Sequence, residues 1–255
     1  MHEIKTIWAE EIPVRSFETD INECWKPASF FQAMQEAATH HASHFGYDYR
    51  TMLARKQIWL LSRAKVRFYE FPVLGANVLV RTWPKGIDQK VFFMRDFQFE
   101  DLHGKQYAAA TTAWLLIDPT ARRMLLPSAL IGSVPDNNGL SALNETLEKI
   151  DLPVNMEDKL NIDAGYSSVD LMGHVNNSRY VEWICDCFPL EFYNFHRIES
   201  IQVNYNHEVK PGERLSITAG RRNGEKSQWV LQGMNMTTSG KAFDALLSWG
   251  NESSS

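Results

Sequence analysis

The sequence predicts an α+β fold made of one unit stated twice, each unit a long helix followed by several antiparallel strands. Three observations carry this prediction. Each half holds one helical apolar stripe. A series of alternating strands follows each stripe, and short pieces of local text recur between the halves.

The first helix is expected from Ser29, where Ser-Phe-Phe-Gln has the spacing of a capping box. Phe30, Met34, Ala37, His41 and Phe45 then recur at helical spacing, and Gly46 is a fitting stop. The second helix is expected over about 178–188, with Val181, Trp183, Ile184 and Phe188 apolar and Pro189 beyond it. Glu36, His40 and His44 recur every four residues on the first helix, a spacing able to chelate a metal. No further ligand motif joins them, so a polar helix face is expected there, and His41 is expected in the core.

Strand periodicity follows each helix. Arg63, Lys65 and Arg67 alternate with Ala64, Val66 and Phe68, as on a strand with one wet face. Runs at 93–99 and 106–117 continue the first series. Runs at 201–206, 215–219, 228–236 and 243–249 form the second, with polar turns at 101–104, 222–225 and 238–240. Gly104-Lys105-Gln106-Tyr107-Ala108 resembles Gly240-Lys241-Ala242-Phe243-Asp244, and the strand after each ends near a tryptophan, Trp114 or Trp249. The expected organisation is a first unit over 1–127, a linker over 128–160 rich in Asn, Ser, Pro and Asp, a second unit over 161–250, and a frayed tail over 251–255.

With 255 residues, 44% hydrophobic and 22% charged, the chain is long enough to bury a core without disulfide or metal staples. A formal net charge of −5 argues against broad attraction to nucleic acid or to an anionic membrane surface. No apolar run is long enough to span a bilayer. Cys24, Cys185 and Cys187 are an odd, sparse set that fits a reducing compartment and small core residues. The opening MHEIKTIWAEEIPVRSFE lacks a signal-peptide apolar stretch and carries acids that transit peptides avoid, so a cytoplasmic protein is expected.

The stretch Ser168-Val169-Asp170-Leu171-Met172-Gly173-His174-Val175-Asn176-Asn177 is a polar loop that feeds into the second helix. First-turn amides of a helix lack internal partners and carry the positive dipole end, so those near Val175, Asn176 and Asn177 can stabilise an oxyanion. His174 can polarise a carbonyl or move a proton, with Asp170 orienting it. On spacing alone the same residues equally describe an ordinary turn with an asparagine cap. Glu208 likewise reads as a wet glutamate in line with Gln202, Asn204 and Asn206.

The chain resembles the acyl-ACP thioesterases, the plant plastid enzymes and their bacterial relatives, along nearly its whole length. The resemblance lies in Val14-Arg15-Ser16-Phe17-Glu18, in Ile58-Trp59-Leu60-Leu61-Ser62-Arg63 with Pro72 and Gly75, and in Ala113-Trp114 with Thr120-Ala121-Arg122-Arg123. In the second half it lies in Asp170, His174-Val175-Asn176-Asn177, Tyr180 and Trp183, and in Tyr205-Asn206-His207-Glu208. It implies a tandem, or double, hotdog fold. It also implies hydrolysis of fatty-acyl thioesters of acyl carrier protein (ACP), releasing free fatty acid and ending chain elongation. No cofactor and no metal are implied.

Carried over by position, Asp170, His174 and Glu208 are the catalytic candidates, in the second repeat. The first repeat would supply the acyl pocket, with Trp59, Arg63 and Trp114 as candidate lining residues. The basic strand face of Arg63, Lys65 and Arg67 and the pair Arg122-Arg123 are candidate contacts for an acidic carrier protein, or plain solvated faces.

Two departures stand out. Met172 occupies a place where the family commonly has Asn, and Val209 one where plant enzymes have Cys. Valine cannot attack a thioester, so attack by water with Glu208 as base is expected. An acyl-CoA thioesterase and a catalytically silent acyl-binding or carrier-binding protein are the alternatives. Fused repeats already mimic a dimer, so either a monomer or a homodimer fits.

Overall fold

The computed structural model describes residues 5–137 and 139–251, and the chain divides into two compact units. The first comprises 1–64 with 69–146, and the second 65–68 with 147–255. Residues 252–255 of the expected tail lie outside the described residues, and Asn251 is the last residue of a strand.

The first unit contains β1 (Trp8–Pro13), α1 (Pro27–His44), α2 (Tyr49–Ala54), β2 (Ile58–Phe68) as far as Ala64, β3 (Asn77–Asp88), β4 (Phe92–Glu100), β5 (Gln106–Asp118) and β6 (Arg123–Leu125), while residues 65–68 of β2 fall in the second unit. Its sheet runs β1-β3-β4-β5-β2, with β6 paired to β5. α1 packs against β3 and β1. The buried stripe contains the expected Phe30, Met34, Ala37 and His41, and fully burying each large apolar side chain contributes about 1.5–3 kcal/mol. Trp25, Phe30 and Phe99 form a knot of rings, with centroids 4.5 Å apart for Trp25 with Phe30 and 5.1 Å for Phe30 with Phe99.

The capping-box expectation is corrected. α1 begins two residues earlier, with Pro27 in its first turn and Lys26 as an N-cap that supplies no side-chain bond. Proline is pre-set for that position because its missing N–H would be unpaired there anyway. Ser29 lies inside the helix and donates to the Glu18 carbonyl at 3.2 Å. Gly46 stops the helix as expected, in the left-handed region at φ 75°.

The second unit contains β7 (Glu157–Asp163), α3 (Asn177–Asp186), β8 (His196–Tyr205), β9 (Arg214–Arg221), β10 (Gln228–Asn235) and β11 (Gly240–Asn251). Its sheet runs β8-β11-β10-β9-β7, antiparallel at each of these pairings. Tyr180 of α3 seats edge-on against Tyr205 of β8 and Phe243 of β11, with centroids 5.6 and 5.4 Å away. Strand β7 was not anticipated, and it begins inside the expected linker.

The wet face expected at Lys65 is corrected too. Lys65 is buried and lies 3.6 Å from Glu148. Glu148 also pairs with Arg222 at 3.1 Å, and its carbonyl accepts from Gln202 and Asn204 at 2.7 and 3.1 Å. A connecting segment therefore covers that face, and the sheet's polar side chains satisfy its backbone. Arg67 stays exposed, and the Arg63 guanidinium stacks 5.3 Å from the Phe92 ring.

The two units also share a loop, although its residues differ between the halves. Asp170 N–H donates to His174 O at 3.0 Å and Gly173 N–H to Asp170 O at 3.0 Å. In the first unit Asp20 N–H donates to Cys24 O at 2.8 Å and Glu23 N–H to Asp20 O at 3.1 Å. Gly173 and Glu23 both have positive φ, 78° and 60°. Val175 N–H then donates to Val209 O at 2.9 Å, as Trp25 N–H does to Pro72 O at 2.9 Å. By this register Cys24 stands where the second unit has His174, and Phe71 where it has Glu208.

Candidate functional site

In the second unit, the residues from Asp170 to Asn176 form a tight loop ending at the N-terminus of α3. Asp170 closes it. One carboxylate oxygen accepts the Met172 N–H at 2.9 Å and the other the Asn176 side-chain amide at 3.2 Å. Gly173, with φ 78°, makes the reversal that only glycine adopts without strain. Asn176 then caps α3, its side-chain oxygen accepting the Ser178 N–H at 2.9 Å and the Ser178 hydroxyl at 2.8 Å.

This loop presents His174 to a second segment. Leaving β8, the chain runs Asn206-His207-Glu208-Val209. His174 Nε2 lies 3.2 Å from Glu208 Oε2, with the two side chains 28% and 35% exposed, so the pair is half-buried and open to water. An imidazole and a carboxylate in contact can share a proton and hold a water molecule between charge states. The sequence expectation for Asp170 changes in its detail. Its oxygens serve the loop's backbone and Asn176, so it places His174 through the loop fold.

Three backbone amides were expected to serve an oxyanion. Those of Val175 and Asn176 are already engaged, donating to Val209 O and Ser168 O, each at 2.9 Å. The Asn177 amide, at the first position of α3, has no hydrogen-bond partner among the described residues, so the candidate set narrows to Asn177.

Cysteine chemistry is disfavoured here. Val209 is fully buried and has no nucleophile. Burial pushes the thiols of Cys185 and Cys187 up to about 12, so both stay protonated near neutrality. Met172 is half-buried, and its backbone N–H donates to Asp170.

The other candidate residues lie in the first unit. Trp59 meets Phe93 edge-on with centroids 4.8 Å apart. Trp114 pairs with Phe93 across β4 and β5 and donates its indole N–H to Thr112 at 2.9 Å. Both indoles remain half-buried, and Trp59 packs against a core cluster of Tyr47, Met52 and Leu116. On α1, His40 pairs with Glu10 at 2.7 Å and His44 accepts the Lys5 N–H at 3.2 Å. No cluster of three or more metal-ligating side chains occurs among the described residues, and no described helix is long and apolar enough to cross a membrane.

Comparison with known proteins follows the same division. The acyl-ACP thioesterase N-terminal domain matches residues 5–126, and the acyl-ACP thioesterase C-terminal domain matches 153–246. Oleoyl-acyl carrier protein thioesterase 2 of Arabidopsis thaliana is 23% identical over 92% of this chain and 68% of its own length. The oleoyl-acyl carrier protein thioesterase of Coriandrum sativum is 23% identical over 80% of this chain and 59% of its own. The chain thus spans roughly two thirds of these curated relatives. Among solved structures, an acyl-ACP thioesterase from Bacteroides thetaiotaomicron superposes with TM-score 0.87 at 24% identity, covering 96% of this chain and 98% of that one. The 12:0-ACP thioesterase from Umbellularia californica superposes with TM-score 0.76 at 20% identity, covering 99% of both.

Proposed function

Because the chain belongs to the acyl-ACP thioesterase family, we propose that it hydrolyses the thioester between a fatty-acyl chain and ACP, using the His174–Glu208 pair. The single observation that carries this reading is the 3.2 Å contact between His174 Nε2 and Glu208 Oε2 at the mouth of α3.

The chemistry runs through water. A water molecule beside Glu208 gives up a proton to the carboxylate as its oxygen bonds to the thioester carbon. Negative charge moves onto the carbonyl oxygen, which the Asn177 N–H and the positive end of α3 stabilise. The carbon–sulfur bond then breaks, and the proton passes to the departing thiolate. Free fatty acid and the carrier's thiol result, and water is the only co-reactant. His174 holds the Glu208 carboxylate in line, and the Asp170–Asn176 bond fixes the loop that carries the imidazole.

The internal repetition supports assigning this chemistry to the second unit. The first unit keeps the loop but has Cys24 and Phe71 at the two decisive places, and neither phenylalanine nor a partly buried thiol serves as a carboxylate base. We read both units as hotdog repeats. The first receives the acyl chain beside Trp59 and Trp114, and the protein works in the cytoplasm alongside the carrier.

The test is release of free thiol from acyl-ACP by the purified chain, with acyl-CoA of equal chain length in competition. The reading expects faster turnover of the ACP thioester. Equal or faster use of acyl-CoA removes the carrier assignment, and turnover of neither removes the hydrolase.

A further inference from the structure

Glu208 lies just past the end of β8, in an irregular segment, with an exposed side chain. Its backbone is held from both directions. On the far side, Val209 O accepts Val175 N–H at 2.9 Å. On the near side, the two residues between β8 and Glu208 are docked on the start of β11. Asn206 N–H and His207 N–H both donate to Ala242 O, at 2.8 and 3.2 Å, and His207 Nδ1 lies 2.9 Å from Lys241 O.

The Asn206 side chain adds a link that backbone pairing does not require. Its amide nitrogen donates to Asn204 O at 3.2 Å and to Asp244 Oδ2 at 3.3 Å. Asp244, in β11, is 5% exposed. The same Oδ2 pairs with Lys241 Nζ at 2.6 Å, and Oδ1 accepts from Gln232 Nε2 at 3.3 Å. Three donors from three segments therefore converge on one buried carboxylate. A carboxylate accepts at both oxygens, whereas an amide in its place would turn an N–H group towards one of these donors. Held in this way within the sheet, Asp244 is a rigid anchor for an asparagine that is otherwise exposed.

We propose that Asp244 is a positioning residue that sets the Glu208 carboxylate against His174 by anchoring Asn206, two residues before it, to β11. The proposal rests on the reading of Glu208 and His174 given above. Its physical basis is that a displacement of about 1 Å at a reacting group can lower a rate by about 10²-fold. With only His207 between the anchored residue and Glu208, a shift at Asn206 is carried almost undiminished to the carboxylate.

The experiment compares the full chain with N206A, D244A, their double variant, Q232A and E208Q, reading kcat and KM for thiol release from acyl-ACP together with thermal melts. N206A and D244A are each expected to lower kcat about tenfold with KM within about twofold, and the double variant also about tenfold, because both cut one link. Q232A removes the Oδ1 bond and leaves Asn206 anchored, so it should lower the melting temperature while kcat stays within about twofold of the parent. A purely structural Asp244 would instead give N206A and D244A the Q232A pattern, and that result overturns the proposal. E208Q separates the two claims. Parent-like turnover of E208Q defeats the catalytic reading, whereas an inactive E208Q beside parent-like kcat in N206A and D244A defeats the anchor alone. Should D244A fail to fold, N206A on the exposed segment still decides, a lowered kcat upholding the proposal and a parent kcat overturning it.

Discussion

The Asn176 side-chain amide donates to Asp170 Oδ2 at 3.2 Å while its oxygen caps the helix that follows. One asparagine thus couples the loop bearing His174 to the start of α3. Replacing Asp170 by alanine removes the acceptor for both Met172 N–H and Asn176, and unmaking part-buried bonds of this kind costs about 1 kcal/mol each. D170A is expected to lose about 10–100-fold in kcat with a lower melting temperature. D170N should fall between it and the parent, since its amide can face Asn176 only if Asn176 flips and gives up the cap. In a double-mutant cycle, D170A and N176A should couple by about 1 kcal/mol. Strict additivity would show the bond to be inert.

Packing beneath the site gives a second prediction. A Cβ added to Gly233 would fall within the Phe243 ring, and Phe243 is the fully buried ring beside Tyr180. G233A should destabilise by about 1–3 kcal/mol, the usual cost of overpacking. Gly165 serves as a control, because nothing lies within 4 Å of its Cβ direction. Thermal melts should show a clear drop for G233A and little change for G165A. Equal melting temperatures would contradict the packing account.

A third prediction concerns acid. His41 is fully buried, donating Nε2–H to Lys5 O at 2.8 Å while its Nδ1 faces the Arg95 guanidinium at 3.1 Å. Burial, with the neighbouring cation adding to it, lowers its pKa to about 4. The folded state therefore keeps His41 neutral at pH values where the unfolded chain protonates it. Stability is full above about pH 6.5 and falls as the pH drops towards 4, by on the order of 3 kcal/mol. Urea melts at pH 7 and pH 4.5 should show this loss in the parent and a smaller one in H41M. Identical losses in both would assign the acid sensitivity elsewhere.

How legible was this protein in its sequence? Both long helices were readable because Phe30, Met34, Ala37 and His41, and later Val181 and Ile184, recur at helical spacing and are buried. Asp170, His174 and Glu208 were readable through a family resemblance. Their meeting is long-range, made by Val175 bonding to Val209 across 34 residues, and no local pattern specifies it. Lys65 misled because period-two alternation records only which face a residue takes, whereas burial of that face depends on Glu148 from a distant segment. The degenerate loop at Asp20 was visible in principle as Asp followed four residues later by Cys24 just before a helix. Its lack of histidine hid it.

The central claim is that a carboxylate at position 208, held by His174, is the base in thioester hydrolysis. The most direct measurement is single-turnover release of fatty acid from acyl-ACP by the parent chain and by E208Q, a substitution nearly equal in shape. The account predicts measurable release by the parent and a loss of about 10²–10⁴-fold in E208Q, the usual effect of removing a general base. Release by E208Q at the parent rate would contradict it.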